Sequence, residues 1–368
     1  MIPVAEPSIG RKELKYVTDA VKSGWVSSIG KYIDEFEQSF ARYCGVKYAL
    51  STSNGTVALH LALVSLGIGK NDEVVVPALT FIATANAVTY TGAKVVLVDS
   101  HPGCWCIDPG KIEKAITSRT KAIIPVHLYG HSADMDPIIK IAKKYNLYVI
   151  EDAAEAHGAE YKKKKVGGIG DVGVFSFYGN KIITTGEGGM IVTNNKKVVE
   201  KANMLKNHGM DPQKKYWHSV VGYNYRMTNI QAALGLAQLK RINSLIERRR
   251  KLAMLYNLYL SDIDGITLPP EESWAKNVCW LYSILIDESK FKVDRNGLIA
   301  KLFAKGIDSR PFFYSMHTLP PYKKNICFPV AQRLSNEGIN LPSSPNLSIR
   351  DVEYICHTIH QIGNHARE

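Results

Sequence analysis

The stretch FSFYGNKIITTGEGGMIVTN, residues 175–194, decides the fold because it joins two apolar segments through a turn that carries Lys181 and several glycines. Working outward from it, short segments rich in β-branched residues alternate with segments of helical spacing. These predicted strands are EVVVP at 73–77, KVVLVD at 94–99, AIIPVHLY at 122–129, LYVIED at 147–152, VGVFSF at 172–177 and GMIVTN at 189–194. The alternation is typical of an α/β protein. Near-continuous apolar strands are covered on both faces, which favours a mostly parallel sheet flanked by helices.

The length of the chain predicts two domains. Its 368 residues exceed the usual size of one hydrophobic core. Residues 229–260 have helical apolar spacing and no proline, so they predict one long connecting helix or a pair of helices. Repeated prolines after that segment break the chain into short elements. We expect a large domain over residues 1–245 and a smaller C-terminal α+β domain over 246–368.

Composition and charge restrict the class of protein. The chain is 45% hydrophobic and 22% charged, which is ordinary for a globular protein. It has no apolar run of about 20 residues and no apolar secretion segment, so we expect no membrane insertion and a cytoplasmic location. The six cysteines lack the paired spacing of a zinc site and are predicted to be reduced.

A net charge of +12 is compatible with binding to nucleic acid, to an anionic membrane surface or to small anionic substrates. The two basic runs, at 162–165 and 248–251, are predicted to be solvated surface. No RNA-binding aromatic motif or zinc-finger spacing accompanies them, so nucleic acid is not the predicted partner.

Lys181 lies where a reactive group is expected. In a parallel sheet, active-site residues lie just beyond the carboxyl ends of the strands, and Lys181 follows such a strand end. An isolated loop lysine is ordinarily solvated, but the apolar strand before it and the glycines after it indicate a special site. Burial and nearby positive charge would lower the pKa of its amine, which must be partly neutral to attack a carbonyl group.

Two other segments of the sequence carry groups that suit a flat phosphorylated ligand. In the segment SNGTVALHLALVSLG at 53–67, Gly55 and Thr56 precede a predicted helix whose free N–H groups can hold a phosphate. Taken alone, this segment would be an ordinary helix start. Phe81 follows the strand at 73–77 and could stack on a flat ring, or it could belong to the core.

Carboxylates at a third strand end complete the pattern. In VIEDAAEAHGAEY, residues 149–161, an apolar strand runs into Glu151 and Asp152. A buried carboxylate needs a partner, and the protonated pyridine nitrogen of pyridoxal phosphate is one. Glu155 could contact the ring hydroxyl of that cofactor, whereas His157 is interpreted as structural. Together the turn, the aromatic ring, the carboxylate and the lysine predict a pyridoxal phosphate site.

A competing motif is rejected on its context. GGIGDVG at 167–173 contains the GxGxxG pattern of dinucleotide-binding proteins, but it precedes a strand instead of following one and opening a helix. We therefore predict a tight turn there. No HExxH motif or EF-hand loop is present, and no catalytic metal is expected.

Four motifs in this chain resemble those of the DegT/DnrJ/EryC1/StrS sugar aminotransferases, and the resemblance covers nearly the whole sequence. They are SNGTVALHLAL, VIEDAAEAHGA, FSFYGNKIITTGEGGM and GYNYRMTNIQAALGLAQL. The resemblance implies a fold type I pyridoxal phosphate-dependent aminotransferase that works as a homodimer or a dimer of dimers, with each active site at a subunit interface.

The resemblance also implies roles for individual residues. It assigns the Schiff-base lysine to Lys181, the pyridine partner to Asp152, the stacking ring to Phe81, the phosphate contacts to Gly55, Thr56 and Ser176, and a phosphate contact from the neighbouring chain to Asn224. Glu155 departs from the glutamine that is common across this family.

The implied reaction moves the amino group of L-glutamate to carbon 4 of a nucleotide-linked 4-keto-6-deoxy sugar, with GDP-4-keto-6-deoxymannose as the expected acceptor. The two phosphates of a sugar nucleotide would account for part of the positive charge. The candidate substrate contacts are Trp25, Ser27, Arg310, Tyr314 and His317.

Three alternatives differ from this prediction. The same reaction on a UDP- or dTDP-linked sugar is the nearest of them. A 3,4-dehydratase on the same fold would have histidine in place of the lysine, so Lys181 argues against it. A non-catalytic regulator built on an aminotransferase scaffold is suggested only by the basic charge.

Overall fold

A seven-stranded sheet forms the centre of the computed structural model, which describes residues 1–366. The helices of the described chain are α1 (Arg11–Lys22), α2 (Lys31–Cys44), α3 (Gly55–Ser65), α4 (Ala83–Tyr90), α5 (Pro109–Ile112), α6 (Met135–Tyr145), α7 (Lys196–Lys206), α8 (Asn229–Leu239), α9 (Ile242–Leu260), α10 (Glu288–Phe291), α11 (Arg295–Ala304), α12 (Pro329–Glu337) and α13 (Ile349–His365). The strands are β1 (Tyr48–Thr52), β2 (Glu73–Pro77), β3 (Lys94–Val98), β4 (Thr120–Ile123), β5 (Tyr148–Asp152), β6 (Glu160–Tyr161), β7 (Lys164–Lys165), β8 (Val172–Ser176), β9 (Gly189–Thr193), β10 (Ile266–Thr267), β11 (Ala275–Lys276), β12 (Tyr282–Ile286), β13 (Arg310–Pro311) and β14 (Gly338–Leu341).

The central sheet has the order β1-β9-β8-β5-β4-β2-β3. Every neighbouring pair from β8 to β3 is parallel, and β9 alone runs in the opposite direction, antiparallel to both β8 and β1. Strands β2, β8 and β9 are buried along their whole length. The predicted α/β fold with a mostly parallel sheet is confirmed.

The largest differences from the predicted strands have local causes. The strand predicted at 122–129 ends at Ile123, because Pro125 cannot donate a hydrogen bond to a ladder. Strand β1 was not predicted, since YALST has no run of large β-branched residues. The remaining predicted strands agree with the observed bounds to within one residue at each end.

A second, antiparallel sheet lies in the C-terminal part of the chain, with the order β10-β12-β14-β13. It contributes to a separate apolar core in which the rings of Tyr256 and Tyr282 stack at 4.4 Å. The amino terminus joins this region, because the N–H of Ile2 donates to the carbonyl of Gly306 at 2.8 Å. The boundary between residues 245 and 246 stays a prediction.

Residues 229–260 form a helix pair, since α8 ends at Leu239 and α9 begins at Ile242. The prediction of a solvated basic run at 248–251 is wrong for its arginines. Arg249 is 2% exposed, and its guanidinium donates to the carbonyl of Ser343 at 2.6 Å. Arg248 donates to the carbonyl of Leu347 at 2.6 Å, and Arg250 donates to the carbonyl of Asn277 at 2.8 Å. These hydrogen bonds connect α9 to later parts of the chain.

The other basic run agrees with its prediction, because Lys162–Lys164 are exposed.

In residues 1–366, no helix is both long and apolar enough to cross a membrane.

Candidate active site

Lys181 lies in a turn beyond the end of β8, and its N–H donates to the carbonyl of Tyr178 at 3.0 Å. The side chain is 11% exposed, and its Nζ lies 3.7 Å from Oε1 of Glu155. Burial lowers the pKa of this amine, and the negative charges of Glu155 and Asp152 oppose that shift. The lysine is thus held close to two carboxylates, with its amine shifted toward the neutral, nucleophilic form.

Asp152 is the last residue of β5 and is 5% exposed. Its Oδ2 accepts from the hydroxyl of Thr84 at 2.8 Å, and its Oδ1 accepts from the N–H of Ala154 at 3.2 Å. Burial raises the pKa of this carboxyl group, and the two hydrogen bonds and the charge of Lys181 only partly offset the effect. A buried carboxylate held by one hydroxyl and one amide fits a site for a cationic ring nitrogen.

Glu155 follows β5 by one turn and is 4% exposed. Its Oε2 accepts from the N–H of Tyr129 at 2.9 Å, while its Oε1 faces Lys181. Burial raises the pKa of Glu155 to about 7, and the charge of Lys181 opposes that shift. The carboxyl group therefore changes protonation near neutral pH, next to the amine.

The raised pKa of Glu155 predicts a specific dependence of stability on pH. The unfolded chain loses this proton near pH 4.5 and the folded chain near pH 7. Between these values the folded state holds more protons, so the free energy of unfolding falls as the pH rises, by about 3 kcal/mol in total. Glu155→Gln removes the titration and keeps an oxygen for the N–H of Tyr129. When unfolding by urea is measured at pH 5 and at pH 8, the stability lost between the two pH values should be about 2–3 kcal/mol smaller in this variant than in the unsubstituted chain.

Exposed Glu113, which pairs with Lys144, provides the control for this measurement. Glu113→Gln should keep the pH dependence of the unsubstituted chain. Equal pH dependence in Glu155→Gln and the unsubstituted chain would contradict the raised pKa.

Gly55 and Ser176 bring the start of α3 against the end of β8. A Cβ atom at Gly55 would lie 2.7 Å from the Cβ of Ser176, so only glycine permits this approach. Asn54 caps the helix by accepting from the N–H of Val57 at 3.0 Å. No residue in the described chain accepts from the N–H groups of Gly55 and Thr56. Free N–H groups at a helix start beside a serine hydroxyl fit a phosphate.

Adding a methyl group at Gly55 should weaken binding of pyridoxal phosphate. The methyl group would push α3 away from Ser176, and overpacking of this kind costs about 1–3 kcal/mol. We expect Gly55→Ala to raise the dissociation constant of the cofactor by roughly ten- to a hundredfold, measured by absorbance titration. Gly69→Ala is the control, because the nearest heavy atom, the carbonyl oxygen of Thr91, would be 3.7 Å from the new Cβ. Unchanged cofactor affinity in Gly55→Ala would argue against a phosphate at this helix start.

The glycine turn at 167–170 binds a carboxylate of the protein itself. Buried Glu151 accepts from the N–H groups of Gly167, Ile169 and Gly170, each at 2.7 Å, and also contacts Nε2 of His127 at 3.0 Å. The GxGxxG pattern thus forms a tight turn whose N–H groups bind the carboxyl group of Glu151, next to Asp152 in β5.

The predicted ring contact and substrate contacts differ in burial. Phe81 lies beyond β2 with 53% of its surface exposed, and its ring centroid is 5.6 Å from that of Phe313. Four predicted substrate contacts have exposed side chains, namely Trp25, Ser27, Arg310 and Tyr314. His317 is 6% exposed, because its ring packs on Phe328 and its Nδ1 lies 2.9 Å from the hydroxyl of Ser315. The substrate contacts stay predictions.

Asn224, predicted to serve the neighbouring chain, is exposed, and its side-chain oxygen accepts from Arg226 at 3.0 Å.

Three residues at the site were not predicted. The indole ring of Trp280 lies under Lys181, with Nζ 3.6 Å from the ring centroid. Thr84 holds Asp152, and Tyr129 holds Glu155. Thr84 could have been found, since it lies three residues after Phe81 at the start of α4. Nothing in the local sequence around Trp280 indicates a contact with Lys181.

Comparison with known proteins places the chain in one family. The model of the DegT/DnrJ/EryC1/StrS aminotransferase family matches residues 7–360. GDP-perosamine synthase from Caulobacter vibrioides is 48% identical over 364 residues, covering 98% of both chains. GDP-perosamine synthase from Escherichia coli O157:H7 is 48% identical over 362 residues, again covering 98% of both.

A solved structure agrees with this result. DesV from S. venezuelae, crystallised in complex with a ketimine intermediate, superposes with a TM-score of 0.90 at 35% sequence identity, covering 95% of this chain and 94% of that one. The predicted family, enzyme class and cofactor are confirmed. This chain belongs to the DegT/DnrJ/EryC1/StrS aminotransferase family, and it is a pyridoxal phosphate-dependent sugar aminotransferase.

Proposed function

We propose that this enzyme transfers the amino group of L-glutamate to carbon 4 of GDP-4-keto-6-deoxymannose and forms GDP-perosamine. The observation that carries the chemistry is the buried amine of Lys181, which lies beyond the end of β8 and 3.7 Å from Glu155, next to the neighbouring strand β5 that ends in Asp152. The choice of sugar nucleotide is supported by the two GDP-perosamine synthases that are 48% identical to this chain.

Each residue has a defined part in this proposal. Pyridoxal phosphate supplies an aldehyde that exchanges amino groups and a ring that takes up the electron pair at the reacting carbon. Gly55, Thr56 and Ser176 would hold the phosphate, and Phe81 would cover a face of the ring. Asp152 would keep the ring nitrogen protonated, and Glu155 would contact the ring hydroxyl.

Lys181 would act in two ways. Its amine would anchor the cofactor at rest, and the free amine would accept and return a proton at the reacting carbon of the substrate. A lowered pKa serves both tasks, because the neutral form is the nucleophile and the base. The nearby carboxylates limit the shift, so Nζ can still hold the proton that it has removed.

A panel of keto sugars tests the assignment. The enzyme is incubated with L-glutamate and, separately, with the GDP-, UDP- and dTDP-linked 4-keto-6-deoxy sugars, and the aminated product and 2-oxoglutarate are measured. Turnover of the GDP sugar alone is the expected result. Turnover of only a UDP or dTDP sugar would overturn the assignment while leaving the chemistry intact. A protein that takes up no pyridoxal phosphate would favour a non-catalytic regulator.

The proposal includes a homodimer in which Asn224 of each chain would contact the cofactor phosphate in the active site of the other chain. Exposed apolar side chains in the segment that precedes this residue support it: Tyr216, Trp217 and Val221 are 74%, 55% and 91% exposed. Such a concentration of exposed apolar surface is typical of an interaction site. The proposal covers both a homodimer and a dimer of dimers.

Mixing two inactive variants tests whether the sites are shared. Lys181→Ala and Asn224→Ala are combined at equal concentration, unfolded and refolded together. If each site takes Lys181 from one chain and Asn224 from the other, about a quarter of the sites regain both residues. Activity should therefore return to about a quarter of the unsubstituted level, measured in the same assay. No recovery in mixtures that contain mixed dimers would contradict the shared site.

The proposed location is the cytoplasm, because both substrates are charged and would not cross a membrane unaided.

A further inference from the structure

Trp280 contributes the surface on which the amine of Lys181 lies. The residue is 3% exposed, and its indole N–H donates to the carbonyl of Asn180 at 2.8 Å. Asn180 immediately precedes Lys181, so this hydrogen bond fixes the ring relative to the turn that carries the lysine. The Nζ atom of Lys181 lies 3.6 Å from the ring centroid. A cation over the face of a tryptophan ring is attracted by the ring quadrupole, most strongly where water is excluded.

The backbone around Trp280 is held from two sides. The carbonyl of Trp280 accepts from Arg249 at 3.1 Å, and the N–H of Val278 donates to the carbonyl of Gly130 at 3.1 Å. Gly130 has φ +102°, and a Cβ there would lie 2.8 Å from the backbone nitrogen of Trp280. This close approach needs glycine, and it locks the 278–280 segment onto the turn at Gly130.

The same turn also positions Glu155. Tyr129 precedes Gly130, stacks on Trp280 at 6.2 Å and donates its N–H to Glu155. The aromatic face and the carboxylate that surround Lys181 are therefore parts of one rigid unit. Both favour the charged form of the amine, and they oppose the effect of burial.

We propose that Trp280 is a positioning residue whose indole face, together with Glu155, forms a resting place for the ammonium group of Lys181 whenever this amine is not bonded to the cofactor. The proposal rests on the anchoring role of Lys181 given above. In this role Trp280 stabilises the proton on Nζ and keeps the side chain of Lys181 out of the space that the substrate occupies.

Fluorinated tryptophans test the proposal without changing the packing. Fluorine withdraws electron density from the ring face and weakens its attraction for a cation. The full chain is produced with tryptophan, monofluoro-, difluoro- or trifluorotryptophan and saturated with pyridoxamine phosphate, an amine that leaves Lys181 unbonded. Competitive acetylation of Lys181 with acetic anhydride, followed by peptide mass spectrometry across a pH series, reports the pKa of Nζ.

The pKa of Lys181 should fall stepwise with fluorine number, by about one unit over the series, so that acetylation below the pKa becomes about tenfold faster. The Trp280→Phe chain, grown in the same media, should show no dependence on fluorine, although its other tryptophans are also replaced. A constant pKa of Lys181 in the native sequence would overturn the proposal, as would an equal fall in Trp280→Phe.

The outcome is separable from that of the proposed function. Repeating the labelling without pyridoxamine phosphate measures the contact between Lys181 and Trp280 even if the chain binds no cofactor. A fluorine-dependent pKa in a protein that takes up no pyridoxal phosphate would support the resting place and reject the anchoring role. A fluorine-independent pKa of Lys181 in a protein that binds pyridoxal phosphate would reject the resting place and support the anchoring role.

Discussion

Replacing Lys181 by methionine is expected to lower the rate of amino transfer by about 10⁴-fold or more, since both the anchor and the proton-transfer group are lost. Methionine has nearly the length of lysine and is apolar, so it fills the same space on Trp280. The visible absorption that arises when pyridoxal phosphate bonds to the protein should disappear. The rate is measured with L-glutamate and the GDP-linked keto sugar, and the absorption by titration with the cofactor.

The same variant changes the charge balance of the site. Glu155 loses the positive neighbour that holds its pKa down, so its carboxyl group should stay protonated to a higher pH than in the unsubstituted chain. The protein should remain folded, because a partly charged group has been removed from a buried position.

Lys206 provides the matched control, since it is also buried, at 8% exposed, but lies in α7 and bonds to the carbonyl of Ser51 at 3.1 Å. Lys206→Met should reduce stability, because the carbonyl and Glu37 lose a donor, yet its folded fraction should keep the visible absorption. If both methionine variants lost the absorption equally while folded, or if Lys181→Met retained turnover, Lys181 would not be the anchor.

The parts of the site that the sequence predicted have a common origin. Asp152 and Lys181 follow apolar strands, and parallel strands bring their carboxyl ends to one edge of a sheet. The strands predicted at 147–152 and 172–177 therefore place Asp152 and Lys181 near each other without any tertiary information. Glu155 lies three residues beyond Asp152, in the turn that follows β5, and it comes to the same place.

The parts that were missed depend on contacts between distant segments. Trp280 is 99 positions away from Lys181 and reaches it only because Arg249 and Gly130 hold its segment in place. The basic composition of residues 248–251 predicts a solvated surface because charge is usually exposed, but guanidinium groups can be buried when backbone carbonyls accept their hydrogen bonds. Neither contact has a signature in local composition or periodicity.

Asp152→Asn tests the electronic part of the proposal and is expected to slow amino transfer by about 10²–10³-fold. The asparagine side chain has the same shape, and its oxygen can still accept from the hydroxyl of Thr84. It carries no negative charge, so it cannot hold a proton on the ring nitrogen, and the ring becomes a weaker acceptor of electrons. Cofactor binding should persist, because the phosphate site and Lys181 are unchanged.

Thr84→Val separates the charge of Asp152 from its orientation. Valine keeps the volume of threonine but removes the hydroxyl that donates to Oδ2 at 2.8 Å, so the carboxylate stays charged and is less firmly held. The loss of one hydrogen bond to a charged group costs about 1.5–3 kcal/mol, which is at most roughly a hundredfold in rate. The asparagine variant should therefore be the slower of the two, and only it should shift the absorption of the bound cofactor, because only it removes the charge. If Thr84→Val were equally slow and shifted the absorption in the same way, orientation rather than charge would be what Asp152 contributes.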